Sequence, residues 1–221
     1  MWDDIEETWR VCMEKAWESY VCGSIPVGAL ITNEHGIIVA KGRNRAYEHL
    51  EIPGRIFGHP FAHAEIDAML QINASNNYSI RDYTLYTTCE PCYLCFGAMV
   101  INSIKHLKFA ARDKVGGATR LNVSDEYIKS KNITVNGPYK EIEPIIIALQ
   151  TCYELNWKMN NSKTGQELQG KSLERFMSVW SRNRLEGTEL GIQLFRESCL
   201  EELKRDGVQF KEVFQTILKH V

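Results

Sequence analysis

The sequence has no long apolar run, no excess of positive charge and no basic-then-apolar segment at its start. Its 26 Lys and Arg residues are outnumbered by 28 Asp and Glu residues, which gives a formal net charge of −2. Proteins that hold folded nucleic acid usually carry an excess of cations, so the overall charge does not favour such a partner. The apolar stretches fall short of the roughly 20 residues that span a bilayer, and residues 1–7 are acidic rather than signal-like. We therefore expect a cytoplasmic protein with no membrane partner.

Cysteine is present in an odd number and without a regular framework. The 7 Cys residues are mostly scattered along the chain, which is typical of a reducing compartment rather than of a disulfide scaffold. A chain of 221 residues is long enough to bury one good core, with or without an appended helical unit.

Two short motifs contain the residue types of a zinc site. His63 is followed by Ala64 and Glu65, and Pro91 introduces a C-x-x-C pair, Cys92 and Cys95. One imidazole nitrogen and two thiolates fill three of the four tetrahedral positions of zinc and leave one open for water. Glu65 lies two residues from His63 and would point away from it on a helix, so we assign it as the proton-transferring base rather than as a ligand. The motifs predict one Zn²⁺ per chain in a hydrolytic site.

Two other interpretations of the cysteine pair stay open from the residues alone. A C-x-x-C pair can be redox-active, but no thioredoxin-like context surrounds this one. A closed structural zinc site would need a fourth ligand, and the nearest candidate, Cys89, lies on the strand side of Pro91. A redox pair and a closed structural site both fit the sequence less well than an open zinc site does.

Strand-like and helix-like segments alternate along the first two thirds of the chain. We predict helices over 3–20, 63–73, 92–102, 124–130 and 140–157, a hairpin over 29–41, and strands over 84–88, 106–111 and 132–136. Such alternation predicts an α/β fold, a three-layer α/β/α sandwich around a mixed five-stranded sheet.

The pattern H-A-E…P-C-x-x-C resembles the cytidine/deoxycytidylate deaminase superfamily. Further matches lie at Pro26–Ala29, Asn44–Arg45, His63–Ile66, Thr84–Cys92 and Phe109–Asp113. These segments are similar to the branch that contains bacterial tRNA adenosine deaminases and guanine deaminases, over roughly residues 5 to 155. The resemblance implies the cytidine deaminase-like fold, a homodimer or larger assembly, and a substrate pocket lined by Val27, Asn44 and Ala64.

The segment 46–62 departs from that pattern, because the relatives pass quickly from the asparagine to the H-A-E motif. Long loops without periodicity are often lids or binding loops. We predict that this segment closes the pocket, with Arg55, Phe57 and Phe61 as candidates for gripping or stacking on a flat heterocycle.

The end of the chain has its own organisation. We predict a deaminase domain over 1–158, a polar linker over 159–170 and a C-terminal helical extension over 171–221. One predicted helix of the extension contains Leu173 and Trp180, a second contains Ile192, Phe195, Cys199 and Leu203, and a third contains Phe210 and Ile217.

Three functions follow in order of preference. The first is a zinc-dependent hydrolase that releases ammonia from the exocyclic amine of a small nucleobase or nucleoside. The second is adenosine-to-inosine deamination of tRNA, which the net charge of −2 disfavours. The third is a zinc-stabilised, non-catalytic binding or assembly protein, for which an intact Glu65 would have no use.

Overall fold

The computed structural model describes residues 2–49, 51–72, 78–161 and 187–220. The chain divides into two compact units, 1–142 and 143–221. The helix that begins at Glu143 lies in the second unit, and the domain bounds of 1–158 and 171–221 stay a prediction. Residues 162–170 of the predicted linker, and the helix predicted around Leu173 to Trp180, lie outside the described residues.

A mixed five-stranded sheet forms the centre of the first unit, as predicted. Its strands are β1 (Gly28–Thr32), β2 (Ile38–Arg43), β3 (Thr84–Cys89), β4 (His106–Ala111) and β5 (Thr134–Asn136). The spatial order is β2-β1-β3-β4-β5, with β1 antiparallel to β2 and β3, and with β3, β4 and β5 parallel. The helices of this unit are α1 (Glu7–Val21), α2 (Ala64–Met69), α3 (Tyr93–Ile101), α4 (Leu121–Ser124) and α5 (Glu126–Lys129), with a 3₁₀ helix at Tyr78–Asp82.

The two faces of the sheet are covered by different helices. Side chains of a strand alternate between faces. On β3, the Tyr86 ring lies 5.4 Å from the Trp9 ring of α1, whereas the neighbouring Thr87 contacts Glu65 of α2. Helix α1 thus lies on one face and α2 on the other, which confirms the predicted three-layer arrangement.

Glycine permits the close approach of both helices to the hairpin. A Cβ atom at Gly28 would lie 2.6 Å from the Ala16 nitrogen of α1, and one at Gly42 would lie 2.5 Å from the Ala68 nitrogen of α2. A real Cβ atom cannot approach a backbone atom so closely, so both helices can pack this close to the hairpin only because these positions are glycine. The position of α2 matters most, because His63, the predicted metal ligand, directly precedes this helix.

The second unit is helical in the part that the structure describes. It contains α6 (Glu143–Asn161), α7 (Thr188–Arg196) and α8 (Phe210–Leu218). Its core is apolar and includes Ile146, Leu149, Ile192, Leu194, Phe210, Val213 and Ile217. The prediction of one helix through Ile192, Cys199 and Leu203 was wrong at its end. Helix α7 stops at Arg196, and Ser198 then turns the chain with a left-handed φ of 54°.

Within the described residues, none of the helices has both the length and the apolar composition needed to cross a membrane.

Candidate metal centre

Two helix starts bring the predicted metal ligands together. His63 is the N-cap residue of α2, and Cys92 is the N-cap residue of α3, with Cys95 in the first turn of that helix. The His63 Nδ1 atom lies 3.5 Å from the Cys92 Sγ atom and 3.3 Å from the Cys95 Sγ atom. Residues that are about thirty positions apart in sequence thus present three donor atoms to one point.

These distances fit a zinc ion. Bonds of about 2.0 Å to nitrogen and about 2.3 Å to sulfur, at tetrahedral angles, place the two donor atoms about 3.5 Å apart. His63, Cys92 and Cys95 form one compact ligand group, and Cys89 is not a member of it among the described residues. The donor set therefore has three protein ligands, which matches an open zinc site better than a closed structural one.

The protonation of the two thiols differs. The pKa of Cys92 is lowered to about 4, first because the Cys95 thiol donates a hydrogen bond to it and then because of the His63 imidazole. The pKa of Cys95 is raised, since this thiol keeps the shared proton and is buried beside Glu65. The pKa of His63 is raised, mainly by its contact with Cys92. The two thiols thus differ in the direction of their pKa shifts, and a metal ion that binds both sulfur atoms must displace any proton they still hold.

Glu65 is buried with one carboxylate oxygen held and the other facing the ligands. The Thr87 hydroxyl donates a hydrogen bond of 3.0 Å to Oε1, and the Cys95 thiol approaches Oε2 at 3.3 Å. The side chain is only 3% exposed, and this burial raises the pKa of Glu65 although the His63 imidazole opposes the shift. A carboxyl group with a raised pKa beside a metal centre is suited to accept and return a proton near neutral pH.

Asn44 presents an amide nitrogen that the protein leaves for another acceptor. Its Oδ1 atom accepts hydrogen bonds from the Ser24 hydroxyl at 2.7 Å and from the backbone N–H of Ala46 at 3.0 Å. A backbone N–H can only donate, so the accepting atom must be the oxygen and the amide orientation is determined. In the described part of the chain, no acceptor is assigned to Nδ2. As a whole residue, Asn44 is 3% exposed.

The other predicted pocket residues are placed differently from one another. Val27 is nearly buried and its carbonyl accepts the backbone N–H of Asn44 at 3.0 Å. Ala64 is fully buried at the start of α2, between His63 and Glu65. Phe61 is 56% exposed and its ring contacts His59 at 4.8 Å, although its carbonyl accepts the backbone N–H of His63 at 2.8 Å. Phe61 thus lies beside the centre in the chain, with its ring at the surface.

The unusual segment 46–62 is tied to α2 through Asp67. Arg55 donates to Asp67 Oδ1 at 2.8 Å, and Arg45 approaches Oδ2 at 3.4 Å. The Arg45 backbone N–H also bonds to the Ala62 carbonyl at 2.8 Å, which closes the segment at its base. Arg55, which we considered for gripping a substrate, is therefore engaged in an internal ion pair.

Two residues that support the site escaped the sequence analysis. Thr87 donates a hydrogen bond to Glu65, the predicted base, and Ser24 donates one to the amide oxygen of Asn44. The alternation of β3 contains a signal for Thr87, since it shares a face with the core residue Leu85 and not with Tyr86. Ser24 lies in a loop, and its partner is 20 residues away, so no local pattern indicates its role.

Comparison with known proteins gives matches to deaminases. Residues 3–111 match the family model for the cytidine and deoxycytidylate deaminase zinc-binding region. A tRNA-specific adenosine deaminase of Haemophilus influenzae is 35% identical over 134 residues, which are 59% of this chain and 72% of that protein. A guanine deaminase of Nitrosomonas europaea has a TM-score of 0.49 at 23% identity, over 67% of this chain and 84% of that one. A protein solved in complex with 2,6-diaminopurine has a TM-score of 0.50 at 23% identity, over 70% of this chain and 82% of that one, and supports the fold.

Proposed function

The chain belongs to the cytidine and deoxycytidylate deaminase family, and from that premise we propose that it is a zinc-dependent hydrolase that converts adenosine to inosine in tRNA. The proposed substrate rests on the 35% identity to a tRNA-specific adenosine deaminase, across 72% of that protein. This order reverses the preference drawn from sequence, in which a small nucleobase or nucleoside came first. The reaction class, hydrolytic release of ammonia from an exocyclic amine, is common to both.

Each residue of the metal centre has a separate role in the proposed reaction. In the overall reaction one water molecule is consumed, the ring carbon gains a carbonyl oxygen, and the amine leaves as ammonia. His63, Cys92 and Cys95 would hold one zinc ion, which supplies a bound water whose pKa is lowered towards 7. Glu65 takes a proton from the attacking water through Oε2, the oxygen that faces the ligands, and delivers it towards the leaving amine. Thr87 keeps Oε1 in place during this transfer.

Substrate binding is assigned to the neighbouring loop and helix start. The free Nδ2 donor of Asn44 would bond to an acceptor on the base or its sugar. Val27 and Ala64 would form an apolar wall that holds the ring near Glu65. The exposed ring of Phe61 would stack on a flanking base, a contact that suits a polynucleotide better than an isolated ring.

One structural observation favours a second candidate, deamination of a free nucleobase or nucleoside. Three arginines of β2 and the loop that follows it are paired internally: Arg43 and Arg45 with Glu48, and Arg55 with Asp67. A cation already neutralised by a carboxylate gains less from an RNA phosphate, and phosphate contacts supply much of the affinity for RNA. A small substrate has no such requirement. The third candidate, a non-catalytic zinc protein, is weakened because a buried carboxylate beside the metal ligands has no structural purpose there.

The deciding experiment compares substrates on the zinc-loaded protein. Ammonia release is measured with free bases, nucleosides, and an anticodon stem-loop RNA carrying adenosine at the wobble position. Inosine in the RNA is detected by mass spectrometry of the digested product. The same stem-loop with guanosine at that position is the matched control, and Glu65→Gln protein is the blank.

Inosine formed in the adenosine stem-loop alone would support the proposal. Turnover of a free base or nucleoside with none of the RNA would replace it with the second candidate. Absence of turnover on every substrate, with zinc bound, would favour the third. A homodimer stays a prediction, which sedimentation of the same preparation would test.

A further inference from the structure

A second group of possible metal ligands lies in the C-terminal unit, apart from the deaminase residues. The Glu197 Oε2 atom lies 3.0 Å from the His220 Nε2 atom. The Cys199 Sγ atom lies 3.7 Å from both of these atoms. All three ligand atoms converge within 4.8 Å, and they come from the ends of α7 and α8 and the turn between them.

The hydrogen bonding of His220 determines which ring nitrogen faces this group. Its Nδ1 atom lies 2.9 Å from the Thr216 carbonyl oxygen, one helical turn earlier. A carbonyl oxygen can only accept, so Nδ1 carries a proton. In the neutral ring, Nε2 then presents its lone pair to the Glu197 carboxylate. Two acceptors at 3.0 Å need a shared proton or a cation between them.

The same geometry argues against a nucleophilic triad. In such a triad the acid holds one ring nitrogen and the nucleophile contacts the other. Here Glu197 and Cys199 both approach Nε2, and the backbone occupies Nδ1. Convergence of three donors on one point is the pattern of metal ligation.

Supporting contacts hold two of the ligands in place. Gln193, one turn before Glu197 on α7, donates to Glu197 Oε1 at 3.0 Å and leaves Oε2 for the group. The Thr216 carbonyl accepts a hydrogen bond from His220 Nδ1 and leaves Nε2 for the group. Such outer contacts are typical of metal-binding carboxylates and imidazoles. Glu197 also follows the C-terminus of a helix, where a carboxylate is unfavourable and a cation is favoured.

We propose that Glu197, Cys199 and His220 form a second divalent-metal site whose ligand types suit zinc. A tetrahedral ion with about 2.0 Å bonds to oxygen and nitrogen and a 2.3 Å bond to sulfur sets edges of about 3.3 to 3.5 Å, close to those of this group. A mixed set of imidazole, thiolate and carboxylate suits zinc better than magnesium or calcium. The fourth position would be filled by water. The bound ion would join the ends of α7 and α8 and stabilise the C-terminal unit.

The test counts metal ions in the full-length protein. The protein is stripped with a chelator, reloaded with Co²⁺ as a spectroscopic substitute for zinc, and passed over a desalting column. We expect about two cobalt ions per chain, one at each group. The double variant Cys199→Ser with His220→Gln should bind about one. The matched control is Cys22→Ser with His35→Gln, which alters an exposed cysteine and the 73%-exposed histidine of the hairpin.

A second measurement is independent of the deaminase centre. The variant Cys92→Ser with Cys95→Ser should keep about one cobalt ion and a sulfur-to-cobalt charge-transfer band, which the further change Cys199→Ser abolishes. The proposal is overturned if the parent protein binds only one ion and Cys199→Ser with His220→Gln does not reduce that number. Equal loss of the second ion from the Cys22→Ser and His35→Gln control would also overturn it, since the binding would then be adventitious.

Discussion

The hydroxyl of Thr87 donates a hydrogen bond of 3.0 Å to Oε1 of Glu65, across the interface between strand β3 and helix α2. This contact fixes one oxygen of the proposed base and turns the other towards the metal ligands. The hydrogen bond connects the central sheet to the proposed base, because Thr87 belongs to strand β3, which leads to the cysteine motif.

The Thr87→Val change tests whether this hydrogen bond orients the base. Valine has the same shape and lacks the donor, so zinc binding should be retained. A hydrogen bond to a charged group contributes about 1.5 to 3 kcal/mol, and we expect kcat to fall about tenfold or more. Loss of a donor to a carboxylate raises its pKa, so the acid limb of the pH–rate profile should move to higher pH. Thr87→Ser should restore both quantities, and an unchanged profile in Thr87→Val would contradict the orienting role.

Because Glu65 is buried, we predict that the free energy of unfolding of the metal-free protein depends on pH. Its pKa is raised in the folded state mainly by desolvation, so the folded protein holds this proton to higher pH than the unfolded chain does. The associated stability is fully present below the usual Glu pKa and is lost as pH rises through the raised value. Glu65→Gln lacks this loss, so its advantage in free energy of unfolding over the parent should grow as the pH rises above the usual pKa of a Glu side chain. Urea unfolding of both chelator-treated proteins measures it, and parallel pH curves would show that desolvation does not dominate.

Asp67 is predicted to hold the segment 46–62 on the domain. It accepts from the Arg43 backbone at 3.1 Å, and it pairs with the arginines at positions 45 and 55. Removal of one partner from a buried charge network leaves the others uncompensated, and Asp67→Asn should cost about 3 kcal/mol of unfolding free energy. Glu126→Gln, which alters an 89%-exposed partner of Lys129, should change it by less than about 0.5 kcal/mol. Similar values for the two variants in denaturant titrations would exclude an anchoring role for Asp67.

Two glycine-to-alanine changes should act in opposite directions. A Cβ atom at Gly42 would lie 2.1 Å from the Ala64 carbonyl oxygen, so Gly42→Ala must displace α2 and should destabilise the protein by about 1 to 3 kcal/mol. At Gly97, within α3, an added Cβ meets no described atom within 4 Å, and the gain in helix propensity should stabilise by up to about 1 kcal/mol. Thermal unfolding measures both. Because α2 begins just after His63, Gly42→Ala should also weaken zinc retention during dialysis against a chelator, and unchanged retention would mean that the seating of α2 does not position the histidine.

Most secondary structure followed from local patterns. Strand β4 has the predicted bounds of 106–111, and the hairpin strands and the cysteine helix differ from prediction by a few residues at their ends. Periodicity failed where the chain turns after α7. The apolar spacing continues to Cys199 and Leu203, but Ser198 adopts a left-handed conformation and ends the helical run. Hydrophobic spacing reports which residues are buried and does not report the backbone angle at a single position.

The sequence by itself determined which residues are candidates for the metal centre, because ligand type and short-range spacing are local properties. A histidine with a nearby glutamate, and two cysteines one helical turn apart, indicate an open zinc site before any fold is known. Only the tertiary structure decided which groups support that chemistry. The contacts of Thr87 with Glu65, of Ser24 with Asn44 and of Arg55 with Asp67 join residues 22, 20 and 12 positions apart. Strand pairing and helix packing bring these residues together, and both depend on the path of the whole backbone rather than on local sequence. The convergence of Glu197, Cys199 and His220 has the same origin, since the ends of α7 and α8 meet only after both helices have packed.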